Sequence, residues 1–221
     1  MRRWLRRAGR DEIDGPSWRQ WSQEDVVDAG AAEFVVRTYL EQEAVRRHLR
    51  RAAAQMEIGS LADVGAGYGR LSLVLQEFGR VVAFEREPEF VSAGRALLPQ
   101  EVEFRQIRTL SRLPAESRSF DFVLTFTVLQ HTVDAVFQAA CGEIKRVLRR
   151  GGFVLLCEET DESHVDGDLE DPEGRCTIGR TVERYRRTMA PLTLVASEPR
   201  RIEPTYPRAD VGTYMLFRDE G

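Results

Sequence analysis

Two carboxylates and three glycines are the residues of this chain whose types and spacing could first do chemistry together. Asp63 stands two positions before Gly65-Ala66-Gly67-Tyr68-Gly69, and Glu85 follows Gly65 by twenty residues. Glycines at every second position make a turn without β-carbons, so a ligand can press against bare backbone. A carboxylate is acceptor-only, and one fixed at a strand end can take two hydrogen bonds from a vicinal diol such as that of a ribose. The other reading of Glu85 is a surface ion pair with Arg86. His131 is the histidine nearest the crevice that such a turn would border, and an imidazole can take a proton from a hydroxyl near neutral pH. Its alternative is a helix-start histidine bonded to backbone. Glu158 and Glu159 are second candidates for the base, and His164 is expected in a mobile acidic loop.

The elements that must position these residues follow from hydrophobic period. Leu61 to Val64 is a short apolar run ending in the glycines, and Leu71 to Phe78 behind them has helical spacing, so the glycines occupy a strand-to-helix turn. Val81 to Glu85 reads as a second strand, and Pro88 to Leu98 as a helix with proline in its first turn. Val102 to Ile107 is a third strand, and a polar loop containing Pro114 leads to a fourth, Phe120 to Phe126. A helical stripe runs from Val133 to Leu148 and is ended by Gly151-Gly152, after which Phe153 to Cys157 is a fifth strand. Residues 159–177 are acidic and without period, which predicts a long functional or mobile connection. Thr181 to Met189 is a short helix, and Leu192 to Ser197 and Val211 to Phe217 are strands predicted to pair antiparallel. The pattern predicts an α/β fold, a doubly wound, mostly parallel seven-stranded sheet with a helical N-terminal extension.

Residues 1–55 are expected to form that extension, an arm and helical cap, and residues 56–221 the ligand-binding domain. Within the extension, Ser22 and Asp25 make a variant capping box ahead of a helix running to about Met56. Trp18 and Trp21 precede it, where they either cover a pocket or staple the helix to the core.

At 221 residues and 42% hydrophobic content the chain supports one sizeable core. No stretch approaches the roughly twenty apolar residues of a membrane span, so a soluble, cytoplasmic protein with no membrane partner is expected. Three cysteines without metal-ligand spacing indicate neither a disulfide framework nor a zinc site. The fourth strand ends in Thr-Phe-Thr rather than in acidic ligands, and no metal is predicted. A formal net charge of -4 argues against a nucleic-acid partner. Arginines cluster at Arg2 to Arg10 and elsewhere, but all of the 32 basic residues except Lys145 are arginine, a bias better read as compositional than as chosen phosphate contacts.

The glycine spacing narrows the ligand. A dinucleotide fingerprint wants its third glycine at position 70, which is arginine, and no Gly-Lys-Ser/Thr of a nucleotide triphosphate loop follows. Asp63 to Gly69 with Glu85 resembles instead the class I S-adenosylmethionine-dependent methyltransferases, specifically the broad small-molecule group. The resemblance covers residues 55–160 and extends to Ser119 to Val123, Val128 to His131, and Glu143 to Gly152. It implies the Rossmann-like methyltransferase fold and S-adenosyl-L-methionine as cofactor. It implies donor-binding roles for Asp63, Gly65, Ala66, Gly67, Gly69, Glu85 and Arg86, with Phe126 and Thr127 flanking the methionine portion unless they are ordinary core or capping residues. Thr109 and Leu110 would lie at the adenine, where family members often carry an acidic residue that Arg108-Thr109-Leu110 lacks. Methyl transfer from a sulfonium is an in-line displacement without a covalent enzyme intermediate. The expected acceptor is a small-molecule hydroxyl, with His131 as base and oligomeric state undefined. RNA or protein methylation is the second reading, against which Thr127 to Gln130 lacks the Asn/Asp-Pro-Pro-Tyr type motif. A cofactor-binding partner without turnover is the third.

Overall fold

The computed structural model describes residues 31–170, 176–200 and 212–221. Helix α1 (Ala31–Ala53) leads into β1 (Ser60–Val64), α2 (Ser72–Gln76), β2 (Arg80–Glu85), α3 (Pro88–Leu97), β3 (Val102–Gln106) and β4 (Phe120–Phe126). A 3-10 turn (Leu129–His131) precedes α4 (Asp134–Val147), β5 (Leu148–Glu158), β6 (Val165–Gly167), β7 (Cys176–Ile178), α5 (Val182–Met189), β8 (Thr193–Pro199) and β9 (Thr213–Arg218). The chain divides into two compact units, Met1–Glu41 and Gln42–Gly221. Of the first unit the described part is the opening stretch of α1. The predicted capping box at Ser22 and Asp25, and Trp18 and Trp21, lie outside the described residues.

The main sheet has the order β3-β2-β1-β4-β5-β9-β8. Strands β1 to β5 pair in parallel, while β9 is antiparallel to both β5 and β8. Strand order reverses between β1 and β4, and a crevice opens outside their carboxyl ends. Alternating residues feed two cores. Val154 and Leu156 of β5 join Phe137, Ile144, Tyr185 and Met189 on the face covered by α4 and α5. Phe153, Leu155 and Cys157 face Val45, Leu49, Val74 and Val91 on the other. Burial on both faces explains why these strands read as continuous apolar runs.

Two polar residues tie strand starts and helix ends together. Asp121 Oδ2 accepts the Gly59 and Ser60 amides at 3.0 and 2.9 Å, anchoring the beginning of β1 to β4. Lys145 Nζ donates to the Thr188 and Ala190 carbonyls at 2.7 and 2.9 Å, satisfying the C-terminal end of α5.

The sheet differs from the sequence expectation in two places. Gly151-Gly152 does not separate helix from strand, because β5 starts at Leu148 and contains both. Leu148 pairs with Phe120 and Phe153 with Phe122, so residues 149–152 bulge opposite Asp121. Gly151 has φ +76°, and a β-carbon at Gly152 would come 2.8 Å from the Asp121 carbonyl, so the bulge needs glycine at both positions. Within the long connection, β6 and β7 pair antiparallel as a small ribbon, which strands of three residues do not announce by any period.

Candidate functional site

The glycine turn is pinned to the end of β2 by the Gly65 and Ala66 amides, which donate to the Phe84 carbonyl at 2.8 and 3.1 Å. All three glycines have positive φ, +73°, +58° and +88° for Gly65, Gly67 and Gly69. Their surroundings differ. A β-carbon at Gly65 would lie 2.4 Å from Val128 Cγ2, and one at Gly69 2.4 Å from Leu98 Cδ1, whereas one at Gly67 would meet nothing within 4 Å. Gly65 and Gly69 therefore admit close packing, and Gly67 leaves open space above the backbone.

Glu85, 7% exposed, borders that space. Its Oε2 accepts the Gly67 amide at 2.7 Å, and its Oε1 accepts the Arg86 and Glu87 amides at 2.7 and 2.9 Å. Three backbone donors fix the carboxylate and leave acceptor capacity for a further hydroxyl. The Arg86 guanidinium binds Glu87 Oε1 at 3.0 Å. Asp63 is buried beneath the turn and accepts the Ser72 hydroxyl at 2.6 Å. Burial pushes its carboxyl up to about 6, against the lowering effects of Ser72 and Arg70.

Arg70 occupies the position that a dinucleotide fold gives to its third glycine. Its carbonyl accepts Gln42 Nε2 at 2.8 Å, and its guanidinium lies over the Phe126 ring, 5.1 Å from the centroid. Arg200 stacks on the same ring at 4.9 Å. Thr127 follows with φ +54°, held by its amide on the Cys157 carbonyl at 2.7 Å. A β-branched residue there stores roughly 1–3 kcal/mol of strain. Beyond β3, Thr109 Oγ1 accepts the Ser111 amide at 3.1 Å and Leu110 is buried. Thr109 also lines a cavity of about 680 Å³ together with Arg108, Arg112 and Arg146.

The two glutamates at the end of β5 have different partners. Glu158, fully buried, accepts the Thr125 hydroxyl at 2.8 Å and the Val128 and Gln130 amides at 3.0 and 3.1 Å, and it thereby holds the start of the 3-10 turn. Burial pushes its carboxyl up to about 7, opposed by those hydrogen bonds. Glu159 is 4% exposed; its Oε1 accepts the Asp161 amide at 3.0 Å and its Oε2 lies 2.9 Å from His164 Nδ1. His164, expected in a mobile loop, sits in a closed turn. Ser163 donates twice to Asp161 Oδ1, and the His164 amide reaches the Asp161 carbonyl at 3.0 Å.

His131 is held by both ring nitrogens. Nδ1 lies 2.8 Å from the Cys176 carbonyl, which can only accept, so Nδ1 carries the proton. Nε2 then faces the Gln130 amide nitrogen at 3.3 Å, while Gln130 Oε1 accepts the Glu159 amide at 2.8 Å. Burial lowers the pKa of His131, with the Cys176 bond opposing. Arg180, which no motif singled out, is buried across this region. It donates to the Leu129, Ile178 and Thr132 carbonyls at 3.1, 3.2 and 2.6 Å and to Asp134 at 3.1 Å, and it stacks on Phe137.

Residues 62–156 match the Methyltransferase domain family. This match and the seven-stranded sheet together support a class I S-adenosylmethionine-dependent methyltransferase. Among solved structures, this methyltransferase is similar to a SAM-dependent methyltransferase of Methanosarcina mazei, with 18% identity, TM-score 0.62, and coverage of 74% of this chain and 93% of that one. It is also similar to the Burkholderia thailandensis 1,6-didemethyltoxoflavin-N1-methyltransferase, solved with 1,6-didemethyltoxoflavin and S-adenosylhomocysteine. There the identity is 21%, the TM-score 0.62, and the coverage 93% and 85%. A third is an S-adenosylmethionine-dependent methyltransferase of Mesorhizobium loti, at 17% identity, TM-score 0.60, and coverage of 75% and 94%. At these identities the likenesses establish the fold. None of the curated proteins matches the chain in sequence.

The methyltransferase family match supports S-adenosylmethionine as the methyl donor. The open space over Gly67, bordered by an acceptor-only carboxylate, fits such a molecule. The structure brings Asp63, Gly65, Ala66, Gly67, Gly69, Glu85, Arg86, Phe126 and Thr127 to the carboxyl ends of β1, β2 and β4, with Thr109 and Leu110 just past β3. Among the described residues, no His/Cys/Asp/Glu group is arranged to hold a metal ion, and no helix is long and apolar enough to cross a membrane.

Proposed function

We propose that this methyltransferase methylates a hydroxyl oxygen of a small molecule. The observation that carries the donor half is the Glu85 carboxylate, fixed by three backbone amides beside the open face of Gly67. In this reading Glu85 takes a ribose hydroxyl, and Gly65, Ala66, Gly67 and Gly69 shape the turn against which the donor lies. Asp63 orients the turn and the ammonium, Phe126 and Thr127 flank the methionine portion, and Arg86, Thr109 and Leu110 border the nucleoside. The bound donor supplies an electrophilic methyl carbon with a thioether leaving group. The protein's part is to hold an acceptor oxygen in line and exclude water, which is worth several kcal/mol of barrier, roughly 7–11 at the limit.

Several features favour a small acceptor. The net charge of -4 suits a nucleic acid poorly, and the segment after β4 reads Thr127 to Gln130 rather than an amide- or base-directed motif. The toxoflavin enzyme, of similar fold, acts on a small molecule. Imidazoles at His131 and His164 stand near the end of β4 and β5, where a hydroxyl would need its proton removed.

Calorimetry with S-adenosylhomocysteine should show affinity at least tenfold weaker for Glu85→Ala and Gly67→Val; unchanged affinity in both would remove the donor site from this turn. Methyl-labelled donor should then be offered with sugar, phenol and polyketide alcohols, amines, RNA and peptides. Label confined to RNA, peptide or amine would overturn the hydroxyl reading.

A further inference from the structure

Thr127 keeps a left-handed backbone, φ +54°, which a β-branched residue holds only where its surroundings over-determine it. Its own bonds do part of this. The Thr127 amide donates to the Cys157 carbonyl at 2.7 Å, and its hydroxyl donates to the Phe126 carbonyl at 2.7 Å. Both of these bonds lie on the β4 side of the residue, so the conformation also depends on what holds the chain beyond it.

Residues 128–132 are held by two buried side chains of opposite charge, one on their amides and one on their carbonyls. The Glu158 carboxylate accepts the Val128 and Gln130 amides at 3.0 and 3.1 Å. The Arg180 guanidinium donates to the Leu129 and Thr132 carbonyls at 3.1 and 2.6 Å. Within the turn, the His131 amide reaches the Val128 carbonyl at 3.0 Å and the Thr132 amide the Leu129 carbonyl at 3.3 Å. Hydrogen bonds to ionised groups are roughly twice as strong as those between neutral ones, so this pair grips harder than a backbone turn could. Arg180 is itself held in place. It donates to the Ile178 carbonyl at 3.2 Å and to Asp134 Oδ1 at 3.1 Å, it lies over the Phe137 ring 4.4 Å from the centroid, and its amide donates to the Glu159 carbonyl at 3.1 Å.

One side chain carries this grip to the glycine turn. Val128, whose amide Glu158 holds, packs where Gly65 lacks a β-carbon, with Cγ2 only 2.4 Å from the position such a carbon would take. We propose that Glu158 and Arg180 are positioning residues for the methyl donor, together keeping Thr127 left-handed and thereby seating Val128 against Gly65. The inference rests on the donor-site reading above, in which Thr127 flanks the methionine portion. Neither charged group touches the donor. When the grip is released, Thr127 relaxes to negative φ, Val128 leaves Gly65, and the wall of the donor site shifts.

The test uses the full chain and calorimetry with S-adenosylhomocysteine. Arg180→Lys replaces a planar fork that serves four acceptors with a single ammonium, and affinity should fall about tenfold. Glycine takes positive φ about as readily as negative, so in a chain that also carries Thr127→Gly the same Arg180→Lys change should cost less than about threefold. Nuclear Overhauser effects between the Val128 methyls and the Gly65 α-protons should be strong in the wild type and weak in Arg180→Lys. They should be strong again when Thr127→Gly is added. A role for Arg180 in stability alone would make its penalty the same in both backgrounds. Should Arg180→Lys not fold, Asp134→Asn loosens the guanidinium from outside and carries the same comparison, with a loss of about threefold expected. Unchanged affinity in the Arg180 or Asp134 variant, an equal penalty with and without Thr127→Gly, or Val128–Gly65 effects that survive Arg180→Lys would overturn this inference alone. Unchanged affinity in both Glu85→Ala and Gly67→Val would overturn the donor site, and this inference with it.

Discussion

Replacing Glu158 by glutamine tests whether the charge or the shape of that side chain holds the segment after β4. The wild-type carboxyl is fully buried, and burial raises it from an ordinary 4.5 to about 7. Ionising it in the folded protein therefore costs about 3 kcal/mol relative to the unfolded chain. Because the folded value is the higher one, its stabilising contribution is complete below pH 4.5 and is lost as pH rises through 7. Glutamine can meet all three donors: its oxygen at the Oε2 position accepts the Val128 and Gln130 amides, and its NH₂ donates to a rotated Thr125 hydroxyl. Urea unfolding of both proteins at pH 5 and pH 8.5 isolates the effect. The two should be within about 1 kcal/mol at pH 5, and Glu158→Gln should be the more stable by about 3 kcal/mol at pH 8.5. A stability difference that does not change with pH would refute the reasoning.

The three glycines of the turn should not respond alike. Gly67→Ala should cost about 1 kcal/mol of stability for its left-handed φ while weakening S-adenosylhomocysteine in calorimetry. Gly65→Ala should cost about 3 kcal/mol in urea unfolding because it adds a clash with Val128, and Val128→Ala should recover part of that; no recovery would mean the clash is not the cause. Arg180→Met should lower unfolding stability by roughly 3 kcal/mol, since it strips a donor from the buried Thr132 carbonyl and from those of Leu129 and Ile178. A midpoint equal to wild type would show that water replaces the guanidinium.

Most of the sheet was legible because both of its faces are covered, and such strands appear as unbroken apolar runs between polar turns. Asp63, the glycines and Glu85 were legible because they lie close together in the chain, on β1, the turn after it and the end of β2. Gly151-Gly152 misled because glycine ends helices and also makes bulges, and only the pairing of Leu148 with Phe120 distinguishes the two. The partners of His131 could not be read locally, since the Cys176 carbonyl is 45 residues away. Glu158 and Glu159 looked equivalent, yet strand alternation sends the first toward the α4 and α5 face in line with Val154 and Leu156. Asp161-Glu162-Ser163 ahead of His164 did contain a signal, because Asp-x-Ser closes a side-chain turn.

Helix α2 has only five residues, and no side chain caps its N-terminal end. A pyrophosphate is held in such folds by the aligned dipoles of a long helix aimed at the anion, and little of that field exists here. Two carboxylates, Asp63 and Glu85, stand at the same turn. A phosphate approaching it would meet repulsion where it needs donors, while a cationic sulfonium would be welcome. Discrimination between donors and nucleotides is thus built in charge as well as in glycine spacing, and lengthening the helix would erode it even with every glycine kept.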